Sequence, residues 1–481
     1  MKKRKVLSII LALALAFSGC TGGSGSTGAA DGTAASGSET AAGAEQQGSA
    51  AEDGEPGEYT RAMAKKSQSS EDSDPTISRR TASEGDEGTK DGAEQNGRPE
   101  QKACTVMIYM VGSNLESRLG NATKDLEEID GAGLNFDNYN VIVYTGGSTR
   151  WVGDVPCDRN CVLDMSLEGE DRIVAQTKAN ANMGLPETLS AFLNYCGENY
   201  PADHNVLILW DHGGGPLWGY GVDELYDSDS LLLNEMRAAM DGSVFRGGAD
   251  GKKLDMVGFD ACLMGSLECM TIWQDYAEYY VGSEELEPGD GWNYAFLKVL
   301  DEDGTYSGDG ADTRDGAEPG DGAGTGDGAG SGGGSFAKAV GDSILSSFEE
   351  YYDGKRSATY NPDLTLACVD LGQINALNAA IDAMAEKMAD DVEGGGYAGF
   401  MKDRSDIKSF GMTRDSEGSV SFFYDLVDVG NLVDHMETLY PQEAAAVREA
   451  LGAAVAGKYA NIDDSAGMTL YYPYKNKGQF E

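Results

Sequence analysis

Residues 205–215 read NVLILWDHGGG. A run of apolar, strand-forming side chains leads directly into Asp211 and His212 and stops at three glycines. Unbroken apolar character over so short a span fits a strand covered on both faces, as strands of parallel sheets are. The stretch LDMVGFDAC (254–262) repeats the form, an apolar run closing on Asp260, Ala261 and Cys262. TVMIYMVG (105–112) and NVIVYTGG (140–147) are further runs of this kind, each ending in glycine. Between them, LPETLSAFLNYCGENY (185–200) and LLLNEMRAAM (231–240) carry helical spacing, and LMGSLECMTIW (263–273) is expected to carry Cys262 straight into a helix. YYVGSEEL (279–286) reads as another strand. Strands alternating with helices predict β-α-β units around a buried, mainly parallel sheet, hence the α/β class.

In open α/β sheets, binding sites form beyond the carboxyl ends of the strands. His212 and Cys262 both stand there. Neighbouring strands would bring imidazole and thiol close enough to act as base and nucleophile. A helix beginning at Cys262 and a protonated His212 would each favour the thiolate. The N–H groups of Gly213 and Cys262 are candidates to bind the oxyanion of a tetrahedral intermediate, because glycine lets the backbone approach a reacting carbonyl. A structural reading stays open from these two sites alone, since free cysteine is commonly a small buried hydrophobe. His204, in PADHN, and His435, in an amphipathic helical stretch, are assigned to structure.

The remainder of the chain sets the context. Residues 1–20, MKKRKVLSIILALALAFSGC, have the basic start, apolar middle and small-residue end of an export signal. Its last four residues resemble a lipobox, which makes Cys20 a candidate for lipidation and the membrane a partner through that anchor; an ordinary secretory signal is the alternative. Residues 21–102 are dominated by Gly, Ser, Ala, Thr, Glu and Asp and are expected to form a disordered tether. Residues 301–335 are Gly/Asp-rich and lack the twelve-residue calcium-loop spacing, so a flexible insertion is expected there. The main α/β region thus spans 103–300, and a C-terminal α/β region spans 336–481 with a strand at LTLACVDL (364–371). A formal net charge of −45 argues against nucleic acid as a partner and favours cationic substrates. Eight cysteines less Cys20 leave seven, an odd number for an exported chain, so at least one thiol is expected to be unpaired or intermolecular. Cys157 and Cys161 form a local bridge or stay reduced; no metal site is expected.

The blocks LILWDHG (207–213) and MVGFDAC (256–262) resemble the clostripain family of cysteine peptidases, in the clan that also holds caspases, legumain and gingipains. IYMVGSNLES (108–117), SEELEPGDGW (283–292), DLVDVGNLVDHM (425–436) and GMTLYYP (467–473) resemble family blocks as well, so the likeness covers roughly 103–300 and 336–473. It implies a caspase-like three-layer α/β/α sandwich and a cysteine endopeptidase cutting after Arg or Lys. By the same resemblance His212 is the general base and acid, Cys262 the nucleophile, and Asp260 and then Asp290 the carboxylates that receive the basic side chain. Proteins or peptides with basic residues would be the substrates, of a monomeric enzyme at the cell surface or secreted. No cofactor is expected, although the resemblance allows calcium dependence. Cleavage between the histidine and the cysteine would fall in DGSVFRGGADGKK (241–253), at Arg246, Lys252 or Lys253. The tether, the 301–335 insertion and the early end at Glu481 depart from the family, the last meaning either a final region short of a strand or a truncated sequence. Two non-catalytic readings compete with this one: a surface protein that binds peptides, and a solute-binding lipoprotein.

Overall fold

The computed structural model describes residues 73–80, 99–248, 251–302, 333–357, 360–394, 407–414 and 420–473. The export signal with Cys20, most of the tether and most of the 301–335 insertion lie outside these residues.

The fold is organised by a ten-stranded sheet. Its centre is parallel: β3 (Tyr139–Gly146), β2 (Lys102–Val111), β6 (Ala202–Trp210), β9 (Leu254–Asp260) and β10 (Ala277–Gly282) lie side by side in that order. Antiparallel strands extend both flanks. On one side come β4 (Cys161–Asp164), β5 (Ile173–Gln176) and the short β1 (Ser78–Arg79); on the other, β11 (Thr365–Asp370) and β14 (Val455–Ala460). The C-terminal region therefore extends the same sheet with two strands. It also supplies β12 (Ser409–Arg414), β13 (Val420–Asp428) and β15 (Thr469–Tyr471), which form a separate small antiparallel sheet. Between β6 and β9, the short β7 (Tyr220–Asp223) and β8 (Asp229–Leu231) make a two-stranded ribbon.

The apolar runs seen in the sequence are explained by their burial. Along β2 alternate side chains point to opposite faces. Met107, Tyr109 and Val111 join one core with Phe192, Phe259 and Trp273, while Val106, Ile108 and Met110 join the other with Trp210, Trp292 and Phe348. Helices cover each face, among them Pro186–Asn199 and Leu267–Trp273 on the first and Asn121–Gly131 and Gly333–Lys355 on the second. This is the three-layer α/β/α arrangement with a parallel centre. The 147–184 segment, which the sequence shows only as turn-rich, folds its short strands β4 and β5 onto the sheet edge. Among the described residues no helix is long and apolar enough to cross a membrane.

Candidate active site

The register of two strands sets the site. In the β6–β9 pair, Ile208 faces Gly258 and Trp210 faces Asp260, and the Asp211 N–H donates to the Asp260 carbonyl at 3.3 Å. Continuing both chains by two residues puts His212 beside Cys262, on strands spaced about 4.8 Å apart. Both residues line one cavity of about 70 Å³, together with Leu115, Asp260, Glu287 and Gly289.

Gly213 shows why the histidine is followed by glycine. A Cβ at that position would lie 2.0 Å from the Cys262 carbonyl oxygen, so any side chain would push the two strand ends apart. Glycine is needed first for the approach of the two catalytic blocks to each other. Among the described residues neither the Gly213 nor the Cys262 N–H donates to another residue, which leaves both available to a substrate oxygen.

The imidazole is oriented from β2's end. Asn114, in the short helix Ser113–Ser117, has its Oδ1 2.7 Å from His212 Nε2, a contact that orients the ring and suits a proton on that nitrogen. Asp211 holds this turn together: its Oδ1 accepts from Ser113 Oγ at 2.6 Å and its Oδ2 from the Val222 N–H at 2.5 Å. The sequence reading used the IYMVGSNLES block but assigned no role to Asn114. Asn114 and His212 are 98 positions apart, and only the parallel pairing of β2 with β6 brings them together.

The thiol side departs from expectation. The helix after Cys262 begins only at Leu267, capped by Ser266, so Cys262 sits in the preceding turn and gains no dipole stabilisation at a helix N-terminus. Leu263 adopts φ +63°, a conformation costly for a branched-chain-sized residue, and its N–H is held by the Glu285 carbonyl at 3.1 Å. The loop after β10 runs alongside and clasps the thiol: the Glu287 N–H reaches Cys262 Sγ at 3.2 Å, and Sγ lies 3.7 Å from the Glu287 carbonyl oxygen. Burial, then the nearby Glu287 carboxylate, push the Cys262 thiol up to about 12. Burial pushes His212 down to about 4. The resting pair is thus a neutral thiol beside a neutral imidazole, not an ion pair.

Asp260, at the last position of β9, is 4% exposed. Its Oδ1 accepts from the Trp292 N–H at 3.0 Å and its Oδ2 from the Tyr294 hydroxyl at 3.1 Å, while burial raises its carboxyl to about 7. Asp290 is placed differently. It belongs to the same loop as Glu287, but its carboxylate pairs with Lys355 at 2.7 Å and does not line the cavity.

The other predicted residues lie elsewhere. Arg246, Lys252 and Lys253 are exposed in the loop that precedes β9, at the strand end opposite Cys262. His204 lies within β6 rather than in a turn before it, with Nδ1 2.7 Å from Asp255 Oδ1 and its ring stacked on Phe336. His435 is on the helix Val429–Met436. All seven described cysteines are free, including exposed Cys157 and buried Cys161. Among the described residues no group of three or more His, Cys, Asp or Glu side chains is arranged to hold a metal ion.

The family model described as the Clostripain family matches residues 108–476, both catalytic blocks and the C-terminal strands included. The chain belongs to the clostripain family of cysteine peptidases. Clostripain of Hathewaya histolytica is 28% identical over 202 residues, a stretch that covers 36% of this chain and 36% of that protein. The match thus spans about a third of its curated relative. Among solved structures, a secreted cysteine protease of this family from Bacteroides thetaiotaomicron, in complex with an irreversible peptide inhibitor, superposes with a TM-score of 0.52 at 17% identity. That superposition covers 78% of this chain and 94% of that chain. An inactive zymogen from Parabacteroides distasonis superposes with a TM-score of 0.53 at 19% identity over the same shares of the two chains. At these identities the structures establish a shared fold.

Proposed function

We propose that this protein is a cysteine endopeptidase that cleaves peptide bonds after arginine or lysine. The observation carrying this reading is the β6–β9 register, which sets His212 beside Cys262 on the wall of a cavity that also holds a buried Asp260. In the reaction, His212 takes the Cys262 proton as Sγ attacks the substrate carbonyl carbon. The N–H groups of Gly213 and Cys262 receive the oxyanion. Collapse of the intermediate breaks the C–N bond, His212 returns the proton to the leaving amine, and an acyl-enzyme thioester remains. Water, deprotonated by His212, then releases the carboxylic acid and restores the thiol. None of these steps uses a cofactor.

Selectivity for a basic side chain rests on Asp260, whose buried carboxyl gives up its proton to meet a cation in a partly dry pocket. Asp290 reaches such a cation only by exchanging its ion pair with Lys355. The cavity is small, about 70 Å³, and its widening by an outward shift of the 287–291 loop to admit an arginine is part of this proposal. That closed form suits a precursor. Cleavage at Arg246, Lys252 or Lys253 is the proposed processing event, and export as a Cys20-anchored, monomeric lipoprotein the proposed setting.

Hydrolysis of matched reporter peptides bearing Arg, Lys or Ala before the scissile bond tests the reading. Cys262→Ala is expected to remove turnover by at least about 10³-fold, and wild type to prefer the basic peptides. Turnover that persists in Cys262→Ala, or a wild type that binds peptides without cutting them, would return the protein to the non-catalytic binding readings.

A further inference from the structure

We propose that Glu287 is a second selectivity carboxylate of this pocket, and that with Asp260 it favours the guanidinium of arginine over the ammonium of lysine. The inference rests on the basic-residue reading given above and deepens it. Glu287 is only 6% exposed, yet among the described residues neither of its carboxylate oxygens has a hydrogen-bond partner. The indole of Trp292 is the polar group turned toward it, and Trp292 Nε1 is likewise left without a partner in good geometry. A buried carboxyl in that condition gives up its hydration with little return from the protein. Natural folds keep such a group where something else completes it.

The missing partner is a donor-rich cation, and the cavity is the way in. Glu287 and Asp260 line the same space, and Asp260 lies close enough that, after burial, it helps hold the Glu287 proton. Their hydrogen-bonding states differ. Asp260 already accepts from the Trp292 N–H and the Tyr294 hydroxyl, whereas Glu287 accepts from nothing. A cation entering the pocket therefore meets two buried carboxyl groups that release their protons to it, one already partly satisfied and one with no well-aligned donor. A guanidinium spreads its charge over a plane with five N–H donors in a fork and can serve two carboxylates at once. An ammonium is a compact, strongly hydrated point charge with three donors, and satisfies one carboxylate better than two. The main chain of Glu287 clasps Cys262 Sγ, so pocket filling and the thiol's surroundings are joined in one residue.

The test uses the full chain and peptides identical except for Arg, Lys or Ala before the scissile bond. Glu287→Gln keeps the backbone clasp and the side-chain volume while removing the charge. It is expected to lower kcat/KM for the arginyl peptide by at least about tenfold, mostly through KM, and for the lysyl peptide by clearly less. The Arg/Lys ratio then falls toward one. A ratio within about twofold of wild type, in a variant whose thermal unfolding is cooperative, overturns the proposal. If Glu287→Gln does not fold, Glu287→Asp draws the carboxylate back by one methylene and is read by the same ratio, which must drop. Wild type that shows no preference for Arg or Lys over Ala sinks the basic-residue reading itself. A wild type that prefers basic residues, beside an Arg/Lys ratio unmoved by either variant, leaves that reading standing and removes Glu287 from it.

Discussion

Strands β6 and β9 carry a polar pair at each end, and the two pairs behave in opposite ways. At the amino ends, His204 meets Asp255 at 2.7 Å, Asp255 also accepts from the Asn205 N–H at 2.7 Å, and the ring stacks on Phe336. Its hydrogen bond to Asp255 raises the histidine's pKa. At the carboxyl ends, His212 lies against Cys262 with its pKa pushed down to about 4 by burial, and the thiol raised to about 12. One end is satisfied and closed, while the other is desolvated, held in neutral forms and open to a cavity. The same two strands thus separate a histidine held by an ion-pairing neighbour from one that faces a cavity. The difference teaches that function here lies in the groups the fold leaves incomplete.

The largest expected effect comes from breaking the open end. His212→Ala should lower kcat/KM on the arginyl peptide by at least about 10³-fold, as Cys262→Ala does. His204→Gln, eight positions earlier, should leave kcat/KM within about twofold. Equal losses from both histidines would dissolve the contrast. Next, Asp260→Asn should reduce kcat/KM for basic peptides by about 10²-fold and spare the alanyl peptide. Because burial raises Asp260 to about 7, wild-type kcat/KM for the arginyl peptide should climb as pH rises through about 7, and the variant should lose that limb.

Processing offers a sharper geometric check. The loop with Arg246, Lys252 and Lys253 sits at the closed end, and β9 puts roughly 20 Å between Leu254 and Asp260 at about 3.3 Å per residue. Cleavage there must then come from another copy, so its rate per molecule should rise with protein concentration and active enzyme should cut Cys262→Ala protein. A rate independent of dilution would contradict this. The thiol gives a further measure. With a raised pKa, iodoacetamide labelling of Cys262, followed by peptide mass spectrometry, should increase about tenfold per pH unit from neutral upward until the pH nears about 12. Rapid labelling at neutral pH would show an activated thiolate in the resting enzyme.

The smallest effect belongs to the closed end. A histidine whose folded pKa is raised contributes stability that is fully present below its unfolded pKa near 6.5 and is lost as pH rises through the higher folded value. His204→Gln should accordingly cost about 1 kcal/mol at pH 5 and less at pH 9, measured by denaturant unfolding.

Much of this was legible in the chain. The four apolar runs at 105–112, 140–147, 205–211 and 254–260 became β2, β3, β6 and β9 because two-sided burial requires unbroken apolar sequence. The flanking β4 and β5 were not legible, since four-residue strands at a sheet edge carry too little pattern. His212, Cys262 and Asp260 stood out as strand-end residues, whereas Asn114 and Glu287 did not. Their roles depend on which strands are neighbours and on how the β10 loop folds over the thiol. The expected helix start at Cys262 failed for a related reason: apolar spacing continues through 263–266, but the backbone there is spent on contacts with Ser283 and Glu285. The 65 positions between Asp290 and Lys355 span the insertion, and no local rule anticipates that pair.

Taken by itself, the sequence determined the buried parallel centre and the residues placed at the tips of its strands, because periodicity and burial are local properties of each segment. Tertiary structure alone decided the register that sets His212 beside Cys262, the turn in place of a helix at the thiol, and the unmet charge of Glu287. Those depend on hydrogen bonds and desolvation between segments distant along the chain, which no single segment encodes.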